Sequence, residues 1–247
     1  MVKAFGLFFE FNPEEYDKKI ESLIANKEKG YSCVIDANVL AMSHEDPKYR
    51  DIINAASINT CDGSSIASMA SHIHKRDYKV YNGPEIFEKY IEWGYRQIVL
   101  GNTEERFVEM MDKLKSRGVK NEVYHLQVPF CKVADFDYPA IAEQINALNP
   151  DFVWVSLGAP KQELFINNIM PYINRGILFG IGAAVNFYIG QIKNSQKNVG
   201  GLRFIWFCRL FKEPKKQFFR CWRYIKLLPT LKKEEKAEIA RNGIVER

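Results

Sequence analysis

Cysteine and histidine are scarce in this 247-residue chain, with five and four residues respectively. Cys33, Cys61, Cys131, Cys208 and Cys221 are odd in number and far apart, and no C-x-x-C pair occurs. That usage argues against a disulfide scaffold and a zinc site, and for reduced thiols in the cytosol. His44, His72, His74 and His125 are scattered; His72 and His74, two positions apart, point to different helix faces. Long apolar runs are also missing. The longest, from Ile177 to Ile189, contains Gly180, Gly182 and Asn186 and is too short and too broken to span a bilayer. The opening Met1-Val2-Lys3-Ala4-Phe5-Gly6 lacks the apolar region and cleavage site of a signal peptide. A soluble or peripheral protein is expected. Only the charged tail after Pro229 has the composition of a solvated segment.

The 47% apolar and 26% charged content is that of an ordinary globular protein, long enough for one large core plus an appendage. The charge is unevenly placed. Residues 200–233 hold ten Lys/Arg and one acid, Glu213, a local charge of +9 that leaves −4 for the rest of a chain whose net charge is +5. Eight aromatic residues interleave with these basic ones: Phe204, Trp206, Phe207, Phe211, Phe218, Phe219, Trp222 and Tyr224. Upstream, strand and helix patterns alternate. Strands are expected at 31–35, 57–60, 96–100, 122–128, 152–157 and 176–181. Helices are expected at 46–56, 64–76, 103–117 and 138–148. This is the pattern of an α/β fold, a Rossmann-like parallel sheet covered by helices. The catalytic domain is expected over 1–195, followed by a small basic helical appendage over 196–247 with two short helices near 201–212 and 214–228.

Several strand ends carry polar or glycine turns, where open α/β sheets bind ligands. Asp62-Gly63 follows one strand, and Asp62 is either a base at the sheet edge or a helix cap. Asp36 and Asn38 end another, as ligand contacts or as caps. Gly101-Asn102-Thr103 and Gly180-Ile181-Gly182 repeat the strand–glycine–helix arrangement. Leu157-Gly158-Ala159-Pro160-Lys161-Gln162-Glu163 follows the apolar Phe152–Ser156. Free backbone N–H groups there suit a phosphate, and the Gln162 amide suits a sugar or base edge. On composition alone, a plain turn before a proline-started helix is the favoured reading. Asp135-Phe136-Asp137 has the form of a metal-binding D-x-D, but Asp137-Tyr138-Pro139 also reads as a helix start. No metal and no cofactor is expected.

Three blocks in order resemble the WecG/TagA/CpsF family of bacterial glycosyltransferases. They are Asp62-Gly63, the Gly-x-Pro-Lys-Gln-Glu signature at 158–163, and Gly180-Ile181-Gly182-Ala183-Ala184-Val185-Asn186-Phe187 leading to Arg209-Leu210-Phe211-Lys212-Glu213-Pro214. The similarity runs from residue 5 to 225. The resemblance implies that Asp62 is the catalytic base and that Arg209 stabilises the leaving group. The substrate-binding residues it implies, together with the turns above, are Asp36 or Asn38, Gly63, Gly101, Asn102, Gly158, Pro160, Lys161, Gln162, Gly182, Lys216, Arg220 and Arg223. Departures stand out. The family's Thr-x-Asn is Asp36-Ala37-Asn38 here, without the Thr, and either Asp36 or Asn38 takes the place of its Asn. Asn186 replaces a family Asp. Two later family arginines become Lys216 and Phe219, with Arg220 adjacent; Lys keeps the charge but loses the bidentate fork.

The implied activity is inverting transfer of an N-acetylmannosamine-like hexose from a UDP-sugar to a polyprenyl-diphosphate-linked sugar, in cell-surface polysaccharide or teichoic-acid synthesis. The expected location is the cytoplasm, peripheral on the inner face of the membrane, where the basic aromatic segment meets anionic lipid. This reading has no nucleic-acid partner and is compatible with a homo-oligomer. Its rivals are a nucleic-acid-binding Rossmann-like protein using the same basic segment and an inactive membrane-docked scaffold.

Overall fold

The computed structural model describes residues 1–192, 198–199, 202–203 and 214–247, with side chains described over 1–192 and 218–247. Arg209, the side chain of Lys216, the 195/196 boundary and the helix expected near 201–212 lie outside the described residues. The fold is α/β. Strands β1 (Val2–Ala4) and β2 (Leu7–Phe9) form an antiparallel hairpin. The central six-stranded sheet comprises β3 (Lys29–Ile35), β4 (Ile58–Cys61), β5 (Gln97–Gly101), β6 (Val123–Leu126), β7 (Phe152–Ser156) and β8 (Gly176–Gly180), in the order β4-β3-β8-β7-β5-β6. Its pairs β3–β8, β8–β7, β7–β5 and β5–β6 are parallel. The expected strands are all present, with ends shifted by at most two residues. The chain divides into two compact units, one of residues 1–16, 34–82 and 192–247 and the other of 17–33 and 83–191.

The second unit holds most of the parallel sheet. Every residue of β5 and β8 is buried, as expected where helices cover both faces. Phe152, Trp154 and Phe179 pack with Tyr90 and Phe87 in a run of stacked and edge-on rings. Gln97 is a polar side chain buried within these strands, and it is engaged at both its oxygen and its nitrogen. Gln97 Oε1 accepts from Trp154 Nε1 (2.7 Å), and its Nε2 donates to the Tyr90 and Trp93 carbonyls (2.9 and 3.1 Å). The covering helices include α5 (Gly83–Ile91), α6 (Glu104–Ser116), α7 (Tyr138–Leu148), α8 (Lys161–Ile169) and α9 (Ala184–Tyr188). Asp137 caps α7, accepting from Ala140 N at 3.1 Å, so the second carboxylate of the D-x-D is a helix cap.

In the first unit α2 (Ala37–Glu45), α3 (Pro47–Asn54) and α4 (Ser64–His74) accompany β4 and the hairpin. Buried Asn59 Nδ2 donates to the Phe8 and Ile53 carbonyls (3.1 and 2.9 Å), and Thr60 Oγ1 to the Tyr81 carbonyl (2.6 Å). These bonds let a polar Asn-Thr pair occupy a buried strand.

The C-terminal helix corrects the sequence expectation. It runs from Pro214 to Asn242 without stopping at Pro229, and the tail after Pro229 is docked rather than solvated. Proline deprives the carbonyl four residues back of its donor, but Pro229 and Ile225 both lie on the exposed side, where water can take that bond. Beyond the proline the helix, here α10 (Pro214–Asn242), packs on α2 and α4. Leu231 is 1% exposed. Buried Glu235 lies 2.8 Å from His74 Nε2 and accepts the Phe5 N–H, while Lys3 donates to Glu238 at 2.9 Å. If the tail is docked in solution, Leu231→Ala should cost about 2–5 kcal/mol, the range for a buried leucine. Urea unfolding measures this, and a solvated tail would show almost no change.

Candidate active site

In the first unit, Asp62 stands immediately past the carboxyl end of β4. Its backbone N–H donates to the carbonyl of Ile35, the last residue of β3, at 3.0 Å. The N-cap of α4 is Gly63, which has no side chain to cap the helix. Half-buried Asp62 directly precedes it, just past the end of β4. The neighbouring strand end is used differently. Asp36 is the N-cap of α2, its Oδ1 accepting from Val39 N at 2.8 Å, so its carboxylate is occupied locally. Asn38, in the first turn of α2, is buried and its Nδ2 is 3.8 Å from Met42 Sδ.

Helix α10 is tied to the first turn of α4 through Tyr224, whose hydroxyl is 3.0 Å from Ser65 Oγ. Burial raises the Tyr224 phenol above its ordinary pKa, so it remains a neutral hydrogen-bonding group. Sequence reasoning counted Tyr224 only as one aromatic among eight. Half-buried Arg220 lies one turn before it. Arg223 was expected to face the substrate; its Nε lies 3.3 Å from Glu45 Oε1 on α2. That pair is exposed and worth about 0–1 kcal/mol, too little to commit the guanidinium permanently.

In the second unit, the glycine turns at three strand ends are hydrogen-bonded together. Gly101 (φ +85°) and Asn102 (φ +67°) turn the chain after β5, in a region that favours glycine. Asn102 Nδ2 donates to Ser156 Oγ (2.9 Å), and Ser156 Oγ donates to the Gly182 carbonyl (2.6 Å). Gln162 Oε1 accepts from Gly158 N (3.1 Å) and Gly182 N (2.9 Å). Two of the N–H groups expected to face a phosphate are thus spent on a side chain, and Pro160, the N-cap of α8, has none. Gln162 is 4% exposed, so its amide lies inside rather than on the turn's surface. Lys161 Nζ donates to the Cys131 carbonyl at 2.6 Å and lies over the rings of Phe130 and Phe136. Ser156 was missed by sequence reasoning, although a polar residue closing an apolar strand was its signal. So was His125, whose Nδ1 is 2.7 Å from Glu104 Oε2 and whose Nε2 is 3.0 Å from the Gly101 carbonyl.

The thiols nearest these strand ends are inert. Burial pushes Cys61 up to about 12, and burial followed by the charge of Glu163 holds Cys33 well above the ordinary thiol range. Neither is a thiolate nucleophile at neutral pH. Among the described residues no three His, Cys, Asp or Glu gather as metal ligands, and no helix is long and apolar enough to cross a membrane.

A parallel α/β sheet with a carboxylate and polar glycine turns at its strand ends defines a class of group-transfer and ligand-binding proteins. Within that class the chain belongs to the glycosyl transferase WecG/TagA/CpsF family, whose profile matches residues 3–238. It is a glycosyltransferase. The chain is 23% identical over 244 residues to the N-acetylglucosaminyldiphosphoundecaprenol N-acetyl-beta-D-mannosaminyltransferase of Bacillus subtilis (strain 168), spanning 93% of this chain and 86% of that protein.

If Asp36 serves as a cap, Asp36→Ala should lower stability by about 1 kcal/mol and Asp36→Ser should restore most of it, since serine also caps. Equal losses in both variants, measured by urea unfolding, would show that the carboxylate has another task.

Proposed function

We propose that this glycosyltransferase moves an N-acetylmannosamine-like hexose from a UDP-sugar to a polyprenyl-diphosphate-linked sugar, with inversion at the anomeric carbon. The reading is supported by the family and by the activity for which the Bacillus subtilis relative is named. The observation that carries the chemistry is the place of Asp62, a half-buried carboxylate just past a strand end and directly before the Gly63 N-cap, where the family resemblance puts the base. Asp62 takes the proton of the acceptor hydroxyl as its oxygen bonds to the anomeric carbon. The bond from that carbon to the UDP oxygen breaks on the opposite face, and UDP leaves with the electron pair. Arg209, with Lys216, Arg220 and Arg223, meets the negative charge gathering on the diphosphate. The donor's nucleotide is assigned to the glycine turns Gly101-Asn102, Gly158–Lys161 and Gly182.

The lipid-linked acceptor brings the enzyme to a membrane surface, and α10 has a face suited to it. Phe218, Phe219, Trp222 and Ile225 are between 48% and 69% exposed. Phe218 stacks on Trp222, and Lys226 lies over the Trp222 ring. Residues 218, 222 and 225 make one helical stripe flanked by Arg220, Arg223 and Lys226, an arrangement that lies among headgroups.

Asp62→Asn should lower turnover by about 10²-fold or more, the usual cost of losing a general base, with UDP binding little changed. Wild-type turnover in the purified, folded variant would remove Asp62 from its role.

Each basic residue near an anionic surface contributes about 1 kcal/mol, so several together should hold the protein reversibly. Sedimentation with vesicles containing anionic lipid should weaken as salt rises and fall in a Phe218→Ser/Trp222→Ser variant. Equal sedimentation with neutral vesicles would defeat the membrane half of the reading.

A further inference from the structure

The Gln162 side chain is engaged inside the protein at both its oxygen and its nitrogen. A side-chain carbonyl has two acceptor positions, and both are filled, by Gly158 N and Gly182 N. Its Nε2 donates to Glu163 Oε1 at 2.7 Å, inside the protein. Gly180 passes so close that a Cβ there would sit 3.0 Å from Nε2, which explains glycine at the end of β8. Gly182 is held from both sides, its N–H by Gln162 and its carbonyl by Ser156, and Ser156 is held in turn by Asn102.

We infer that Gln162 is a positioning residue. Its amide sets the spacing of the turns that follow β5, β7 and β8 and does not touch the sugar nucleotide. Only a neutral amide can do this task beside Glu163. It accepts two backbone N–H groups while donating to a buried carboxylate. A glutamate would place two carboxylates face to face, and methionine would make none of the three bonds. Taking the side-chain acceptor away from the half-buried Gly158 and Gly182 N–H groups loosens the geometry of the turns they belong to. The clamp stands on these hydrogen bonds alone; its catalytic consequence rests on the sugar-nucleotide reading above. Displacing a donor-binding turn by about 1 Å can cost on the order of 10²-fold in rate.

The test compares the wild type with Gln162→Met, Gln162→Glu and the exchange pair Gln162→Glu/Glu163→Gln. The exchange reverses donor and acceptor in the buried bond and keeps an oxygen for Gly158 N and Gly182 N. Two quantities are measured: hydrogen-exchange protection of the Gly158 and Gly182 amides, and kcat/KM for UDP-sugar consumption. Gln162→Met and Gln162→Glu should lose protection at both glycines and about 10²-fold in kcat/KM, and the exchange pair should recover much of both. Unchanged protection in Gln162→Met overturns the clamp. An exchange pair that fails to fold, or folds with protected amides but no recovered activity, overturns the positioning role, because a direct sugar contact would be lost in every variant. Should Gln162→Met not fold, the exchange pair decides by itself. A wild type that consumes no UDP-sugar would refute the donor assignment, while amide protection would still judge the clamp.

Discussion

Parallel strands cannot be joined by tight turns. Each of the pairs β3–β8, β8–β7, β7–β5 and β5–β6 needs a crossover through a covering layer, and every crossover leaves from a carboxyl end. Two consequences follow for this sequence. The strands must be apolar on both faces, as Phe152-Val153-Trp154-Val155 and Ile177-Leu178-Phe179 are. Polar groups tolerated within them must be closed hydrogen-bond systems, as Gln97 is. Polar and glycine residues collect just after the strands, where Asp36, Asp62, Asn102, Gly158 and Gly182 stand. The same crowding makes those residues compete between holding the fold and meeting a ligand. Asp36 and Gln162 are engaged by the fold.

In the first unit the strongest constraint is a single buried carboxylate. Glu235 meets His74 from α4 and the Phe5 N–H from the β1–β2 turn. Breaking a buried charged contact by removing one partner typically costs about 3–5 kcal/mol, whereas replacing the whole set by apolar residues costs little. The group therefore contributes mainly by fixing where α10 can dock. It pins the helix downstream of Pro229, and Tyr224 with Ser65 pins it upstream. Before the Tyr224 anchor the helix keeps Phe218, Phe219 and Trp222 in solvent. A helix held at defined points along one face can present the other without rearranging.

The strands were readable from the sequence because apolar runs closed by glycine or aspartate have few other meanings. Tyr138–Leu148 was assigned as a helix to the residue, since Asp137 and Pro139 mark its start and Asn149 its left-handed end. The fate of residues after Pro229 was not readable. Lys232, Lys233, Glu234 and Lys236 look like a solvated tail, and only the tertiary partners of Leu231, Glu235 and Glu238 show that every third or fourth residue has a place to go. The short hairpin and α2 were likewise hidden, as elements that form by packing on neighbours rather than by periodicity. At the site, Asp62 and the glycine turns were found at strand ends as expected. The choice between cap and ligand was not visible for Asp36, because both roles ask for the same carboxylate. For Gln162 the type of residue was informative, but its direction was not: an amide suited to a sugar is equally suited to two peptide N–H groups.

That direction changes how a diphosphate can be held. Glycine turns at strand ends commonly neutralise phosphate with backbone N–H groups and a helix N-terminus. Here the Gly158 and Gly182 N–H groups are taken by Gln162, Pro160 has none, and Lys161 spends its charge on the Cys131 carbonyl and two rings. The described turns of the second unit thus offer shape and spacing more than positive charge. A departing UDP carries concentrated negative charge, and stabilising it requires cations or strong donors placed where that charge develops. The chain concentrates its cations in one segment, residues 200–233, with ten Lys/Arg against one acid. On the proposed function the labour is therefore divided: glycine turns set by Gln162 for the nucleotide, and the basic residues of 200–233 for the charge it leaves with.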